Sequence, residues 1–226
     1  MGYKLQKIYI GQNQVRPDTW WKPWANTIAY YKFDWNLNDS SGNNRNLSMY
    51  TGSFSYTTTS WGAKYVRFNS SAYTNTLSIP FNRTAYTISG WYTLDAVSSS
   101  YQKILLDMRA DSNYRPRAYS YNNEMVWVVS FEGRWATFVA NSWYYIVTVY
   151  NNNVVTSYIN TNVEWTETYS WSATSCTLRL NRASDNTSSI YGNGWGISEL
   201  IIENKARTAQ EISDYYNQTK ANYWIS

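Results

Sequence analysis

The sequence of 226 residues contains no histidine and one cysteine, Cys176. Without histidine the usual general base and the commonest metal ligand are gone, so Ser-His-Asp and Cys-His nucleophilic chemistry is excluded. A lone cysteine excludes an internal disulfide framework and a cysteine-based zinc site. In a strand-like run it reads as a small core residue. Charge is scarce as well: 15% of residues are charged, and Lys+Arg 19 against Asp+Glu 15 leaves a formal net charge of +4. No run of Lys or Arg is longer than two residues, so nucleic acid is not an expected partner. Nowhere do 18 apolar residues run together, so no membrane-inserted helix is expected. The opening "MGYKLQKIYIGQNQVRP" lacks the apolar stretch of a secretory signal, and none is expected.

Aromatic residues are abundant at 19%, with 23 Tyr and 13 Trp, enough for a large core. Most of the chain consists of short runs rich in Tyr, Trp, Val, Ile and Thr, broken by Asn, Ser and Gly clusters. That pattern predicts an all-β antiparallel sandwich. Eleven strands are expected: "NTIAYYKF", "AKYVRF", "TLSIP", "YTISGWYTL", "QKILLDM", "EMVWVVSF", "WATFV", "SWYYIVTVYN", "VVTSYIN", "TLRLN" and "WGISELIIE". One short C-terminal helix is predicted where Thr208 precedes Glu211 as a capping box, with Ile212, Tyr215 and Tyr216 at helical spacing. Residues 1–25 stand apart, with Gly11 in a turn and Pro17 and Pro23 stiffening a connector. They read as a strand-like leader or attachment segment before a domain spanning residues 26–226.

The order "IAYYKFDWNLNDSSGNNRNLS", "KYVRFNSS", "YTISGWYTL", "WYYIVTVYNNNVVTSYINT" and "ISELIIENKARTAQEISDYYN" resembles the laminin-G-like domains of the concanavalin A-like lectin/glucanase superfamily. The resemblance runs from about Ile28 to Asn217. It implies a two-sheet jelly roll with Trp91 and Trp143 on core-facing strands and the helix packed on the sandwich. It also suggests calcium near Asp39, but the second acidic place reads Asn69, Ser70, Ser71, Ala72, which lacks the carboxylates that calcium prefers. Asp39 is therefore expected to cap turn amides, and neither a metal nor another cofactor is expected. Separately, "KIYIGQNQVRP" resembles the leaders of bacteriophage structural and fibre-type proteins.

Glucanases of the superfamily need carboxylates placed about one glycosidic bond. Glu164 with Glu167 is odd-spaced, and Glu199 with Glu203 has Ile201 between its members; both pairs read as solvent-facing or turn carboxylates. No catalytic residue is expected. Binding is the better class, because Trp and Tyr faces stack on sugars and anchor protein interfaces. Five loop residues are candidates for contact with a glycan or surface protein: Arg134 and Trp135 in a hairpin turn of "EGRWAT", and Trp165, Tyr169 and Trp171 in "NVEWTETYSWSATS". Tyr9, Val15, Trp20, Trp21 and Trp24 of the leader are candidates for assembly contacts. The sequence thus predicts a non-enzymatic adhesion or structural protein of a virion or extracellular surface. The alternative is a self-assembling capsid, tail or filament subunit, a homo-oligomer joined through the leader. A third reading, glycoside hydrolase, would depend on Glu164 or Glu203.

Overall fold

A computed structural model describes residues 25–68, 72–80, 84–95, 103–109, 117–121, 124–128, 133–168, 174–182 and 194–223, the backbone alone at 103–104, 117–121, 124–128 and 133–137. The strands run β1 (Thr27–Tyr31), β2 (Met49–Thr51), β3 (Phe54–Thr58), β4 (Lys64–Phe68), β5 (Tyr73–Thr74), β6 (Leu77–Pro80), β7 (Ala85–Leu94) and β8 (Lys103–Arg109). They continue as β9 (Arg117–Tyr121), β10 (Glu124–Val128), β11 (Gly133–Thr137), β12 (Trp143–Asn151), β13 (Val154–Ile159), β14 (Asn162–Thr168), β15 (Ser175–Leu180) and β16 (Trp195–Glu203). Helix α1 (Ala209–Thr219) and a 3-10 turn (Lys220–Tyr223) close the description.

An eight-stranded antiparallel sheet has the order β14-β13-β12-β7-β16-β4-β3, with β1 also paired to β16. A six-stranded sheet has the order β11-β10-β9-β8-β15-β6, and β2 and β5 form a small third sheet. The two large sheets face each other across one buried apolar layer, the expected jelly-roll sandwich. Alternation builds this layer: Tyr86, Ile88, Tyr92 and Leu94 of β7 point into it, as do Ile146 and Tyr150 of β12. Side chains of opposite parity, Trp91, Tyr145, Val147 and Val149, point out of the sandwich and form a second cluster with Ile212, Tyr215 and Tyr223 under α1. Trp91 and Trp143 therefore lie on the implied strands, but their rings pack on the helix side of the sheet rather than between the sheets.

Cys176 is buried in the inter-sheet layer, as its strand-like setting predicts. Strands β2, β3, β5, β9 and β14 were not expected, because they are short or rich in Ser, Thr and Tyr and show little apolar alternation.

Two local devices match the sequence reading. At the helix start Thr208 Oγ1 accepts from Glu211 N at 3.2 Å while Glu211 Oε2 accepts from Thr208 N at 2.9 Å, a complete capping box. In the loop after β1, Asp39 Oδ1 accepts from Tyr30 N and Ser41 N, both at 2.9 Å. Its Oδ2 accepts from Ser41 Oγ at 2.8 Å and Arg45 N at 3.0 Å. Burial raises the Asp39 pKa, but these donors outweigh it and hold the carboxyl below the usual carboxylate value.

Ile212 is fully buried against the outer face of the large sheet. Ile212→Ala is expected to cost about 2 to 4 kcal/mol and Thr208→Ala about 1 kcal/mol in urea denaturation; an unchanged midpoint for Ile212→Ala would show an undocked helix. Asp39→Asn should cost about 2 kcal/mol near neutral pH, because an amide can meet fewer of the four donors. Since the folded pKa of Asp39 is depressed, this contribution is complete above its ordinary value of about 4 and fades as pH falls through the folded value. The gap between Asp39→Asn and wild type should accordingly shrink in acid, and a pH-independent gap would contradict this origin.

Candidate functional site

Strand β15 alternates Cys176, Leu178 and Leu180 into the core, which leaves Thr177 and Arg179 on the outer face of the six-stranded sheet. Arg179 lies opposite Asp107 of β8 in the ladder, and both are buried. The chain then turns at Asn181, whose left-handed backbone (φ 64) suits asparagine. The Asn181 side chain fixes the turn by donating to the Ala72 carbonyl at 2.5 Å and accepting from Trp195 Nε1 at 2.7 Å. Arg182, the next residue, donates through Nη1 to Tyr73 Oη at 2.5 Å.

Tyr73 sits on β5, which is tied to β15 by a bond from Leu180 N to Thr74 Oγ1 at 3.0 Å. The guanidiniums of Arg182 and Arg179 lie 4.6 and 5.4 Å from the Tyr73 ring centroid. Tyr50 stacks on the same ring with centroids 5.0 Å apart. A register shift between Met49 and Thr51 makes Tyr50 the extra residue of a bulge, and the side chain stays 63% exposed. Gly52 allows this approach: its φ is +73, and a Cβ there would lie 2.7 Å from Ala72 Cβ. Burial, followed by the nearby charge of Arg182, pulls the Arg179 pKa below its ordinary value. The result is a two-tyrosine stack in which Tyr50 is the open outer ring and two guanidiniums lie against the buried inner ring, Tyr73.

A second aromatic surface lies at the end of the large sheet. Trp35, 57% exposed and held by a positive φ of 62, leans on Tyr56 with ring centroids 6.0 Å apart. The Asp34–Lys64 ion pair lies beside it, and Trp61 is 56% exposed in the β3–β4 turn.

Of the carboxylates considered for catalysis, Glu164 is solvent-facing as expected, whereas Glu199 and Glu203 are not. Glu199 and Glu203 are buried beneath α1. Glu199 accepts from Tyr215 Oη at 2.8 Å and Tyr30 Oη at 3.3 Å, and Glu203 pairs with Arg207 Nε at 2.5 Å. Burial lifts the Glu203 pKa, while Arg207, lowered by burial, is carried above its ordinary value by Tyr145 and Glu203. Glu164 is exposed on the edge strand β14, and Glu167 is half-buried on the same strand.

Among the sequence-predicted contact residues, Arg134 and Trp135 lie in strand β11, opposite Trp127 and Val126, and not in a hairpin turn. Trp165 lies in strand β14, half-buried against the inter-sheet core, and not in a loop. Both are corrections: Gly133–Thr137 pairs throughout with β10, and around Trp165 the β-branched Val163, Thr166 and Thr168 sustain ladder pairing through a stretch that reads as polar. Edge strands β11 and β14 of the two sheets touch, which brings the two segments together. Tyr169 and Trp171 fall outside the described residues, as do Tyr9, Val15, Trp20, Trp21 and Trp24. The sequence reading missed Tyr50, Tyr73, Arg179 and Arg182. Arg179 carried a signal, a charge in period two within "CTLRL", whereas nothing local joins residue 50 to residue 182.

The concanavalin A-like lectin/glucanases superfamily model for a laminin G domain matches residues 62–213. No curated protein matches the sequence. Among solved structures, domain 4 of AbnA, a GH43 extracellular arabinanase from Geobacillus stearothermophilus in complex with arabinotriose, superposes with a TM-score of 0.64 at 19% identity, over 84% of this chain and 97% of that one. The botulinum neurotoxin serotype D binding domain gives 0.65 at 13% identity over 85% of this chain and 52% of that one. Botulinum neurotoxin type C, whose cell entry depends on two ganglioside molecules, gives 0.63 at 14% identity over 85% and 51%. This chain thus spans about half the length of the toxin chains, and likeness at these identities is one of fold. The family match takes in about two thirds of the sequence, and the chain belongs to the concanavalin A-like lectin/glucanases superfamily as a laminin-G-like domain.

Proposed function

We propose that this chain is a non-enzymatic glycan-binding module and that the Tyr50–Tyr73 stack is its principal contact surface. The Tyr50 ring carries the reading: it is largely open to solvent and backed by the buried Tyr73 ring, which two arginines flank, an apolar platform of the kind that stacks on a sugar. Domain 4 of AbnA, matched over nearly its whole length, is in complex with arabinotriose, and a toxin relative depends on gangliosides; both support a glycan as ligand. Glu199 and Glu203 are covered by α1 and bound to tyrosines and arginine, which favours binding over hydrolysis. Arg134, Trp135, Trp165, Tyr169 and Trp171 are proposed as a further glycan contact.

The finer proposal is that the module serves adhesion at a virion or extracellular surface. Its motive is the leader pattern, with Tyr9, Val15, Trp20, Trp21 and Trp24 as assembly contacts and residues 26–226 as the binding domain. An unpaired strand in such a leader can add to a neighbouring sheet. Sedimentation of the full chain and of a chain beginning at Asn26 tests this. Association by the full chain alone is expected, and identical monomers at high concentration would sink self-assembly through the leader.

A glycan array followed by titration of the best ligand tests the main reading. Tyr50→Ala should weaken binding about three- to tenfold, the worth of one stacking contact, with little loss of stability because the ring is exposed. Trp165→Ala should lower stability by about 2 kcal/mol, and its effect on affinity should be smaller than that of Tyr50→Ala. Unchanged affinity in Tyr50→Ala would remove this surface from the binding site.

A further inference from the structure

The inference that follows rests on self-assembly through the leader, and it names the strand that receives it. We propose that the outer edge of β3 takes residues 6–10 of a second copy of this chain as an added antiparallel strand.

A sheet edge is a template for pairing with another chain, and the other edges of the two large sheets carry devices that discourage it. The outer edge of β1 is filled by the loop that follows it. Tyr30 N donates to Asp39 Oδ1, Tyr30 O accepts from Ser40 N, and Ile28 O accepts from Asn43 Nδ2 at 3.0 Å and Arg45 Nη1 at 2.8 Å. β14 carries Glu164 and Glu167 and meets a register shift between Ser157 and Tyr158 of β13. β6 is short and ends at Pro80, and β11 carries Arg134. β3 has no charged residue, proline or glycine, and it pairs with β4 without a register shift.

The register fixes which backbone groups of β3 face outward. Thr59 N donates to the Ala63 carbonyl at 2.8 Å, and this pair continues the ladder that joins Phe54 to Phe68 and Thr58 to Lys64. Alternate residues of an antiparallel strand turn both backbone groups the same way. Ser55, Thr57 and Thr59 therefore turn theirs to β4, while Phe54, Tyr56 and Thr58 present theirs to the outer edge. Among the described residues no strand pairs with that edge. Phe54 and Tyr56 are half-buried against the inter-sheet layer, and the exposed Trp35 ring leans on Tyr56. The edge thus offers backbone donors and acceptors beside an apolar inner flank.

The leader supplies the complement. Gln6, Lys7, Ile8, Tyr9 and Ile10 match β3 in length and alternate, with Ile8 and Ile10 on one face and Lys7 and Tyr9 on the other. Ile8 and Ile10 would rest on the flank made by Tyr56 and Trp35, and Tyr9 would lie on the outer face with Thr57. A second copy is the fitting donor. Within one chain the leader enters β1 at Thr27, opposite Glu203, whereas β4, the partner of β3, lies opposite Trp195 and Ile197 at the other end of β16. The chain's own leader would have to double back along the β1 edge that the loop already fills.

Sedimentation and disulfide trapping on the full chain decide the matter. Thr58→Pro removes one outward donor at an exposed position and leaves the pairing with β4 intact. It should weaken association about fivefold or more, and so should Ile8→Asp. Full chain carrying Tyr9→Cys, mixed with full chain carrying Thr57→Cys and oxidised, should give a disulfide-linked heterodimer. Val163→Cys, exposed on β14, should not trap Tyr9→Cys in this way. Circular dichroism of each variant confirms that it is folded. Association that Ile8→Asp abolishes but folded Thr58→Pro leaves unchanged, or trapping no stronger at Thr57→Cys than at Val163→Cys, would overturn β3 as the acceptor and leave assembly through the leader in place. A cross-link within a monomeric Tyr9→Cys/Thr57→Cys double variant would overturn the second copy as donor. Monomeric full chain at high concentration would overturn the assembly reading and this inference with it.

Discussion

The fold turns on one bulge in one central strand. β16 pairs with β7 along one edge, while its other edge is shared by β4 through Trp195–Ile197 and by β1 through Leu200–Glu203. The register slips between Ser198 and Leu200, where Glu199 has a φ of 64. Before the slip Trp195 and Ile197 face the inter-sheet layer; after it Leu200 and Ile202 do. A regular strand would send those two later residues to the wrong side, because a one-residue change of parity exchanges the faces. Gly90 makes room for the bulge, since a Cβ at that position would lie 2.7 Å from the Glu199 carbonyl oxygen. One strand thus serves two partners on one edge and keeps its apolar face continuous.

The same slip places Glu199, Ile201 and Glu203 together on the outer face, and this face determines where the helix docks. Ile201 joins Ile212 and Tyr215 in the apolar cluster, while the two carboxylates meet donors. Tyr215 reaches Glu199 from the helix, and Arg207, just before the cap, bonds to Glu203 and to Tyr145 Oη at 3.0 Å. A buried ion pair adds little net stability over an apolar packing, but removing one partner leaves an uncompensated charge, at a cost of about 3 to 5 kcal/mol. The network therefore acts mainly on specificity: it admits the α1 segment in one register. The apolar packing of Ile212 supplies the larger gain.

Legibility followed the physics of each segment. Eleven of the sixteen strands could be read because their apolar residues alternate, and the capping box at Thr208 because its two bonds join residues three apart. Asp39 was legible as a turn-capping residue for the same local reason. What escaped depends on partners distant in sequence. Glu199 and Glu203 read as exposed because nothing in "SELIIE" announces a bulge or a covering helix. The edge strand β14 read as a loop because five of its seven residues are polar, although its ladder to β13 is complete over Val154–Ile159 apart from one register shift.

The candidate site shows this limit in its sharpest form, and it also shows how the fold divides its tasks. Tyr50, Tyr73 and the pair Arg179 and Arg182 come from three separate segments, joined by Asn181 as it bonds Ala72 and Trp195. A sequence scan finds aromatic loops, but it cannot find a ring that becomes a platform only when another ring lies 5.0 Å beneath it. The helix and its polar network cover the outer face of the eight-stranded sheet, whereas the tyrosine-arginine surface joins the small β2–β5 sheet to the end of β15 in the six-stranded one. Between the two large sheets lies a close-packed layer that includes Trp195, which stacks on Phe68 at 4.2 Å and donates to Asn181. Because the indole is shared between the core and the turn that carries Arg182, that turn is anchored to the close-packed layer. The helix packs on the eight-stranded sheet, and Tyr50 on the small sheet stays open to solvent.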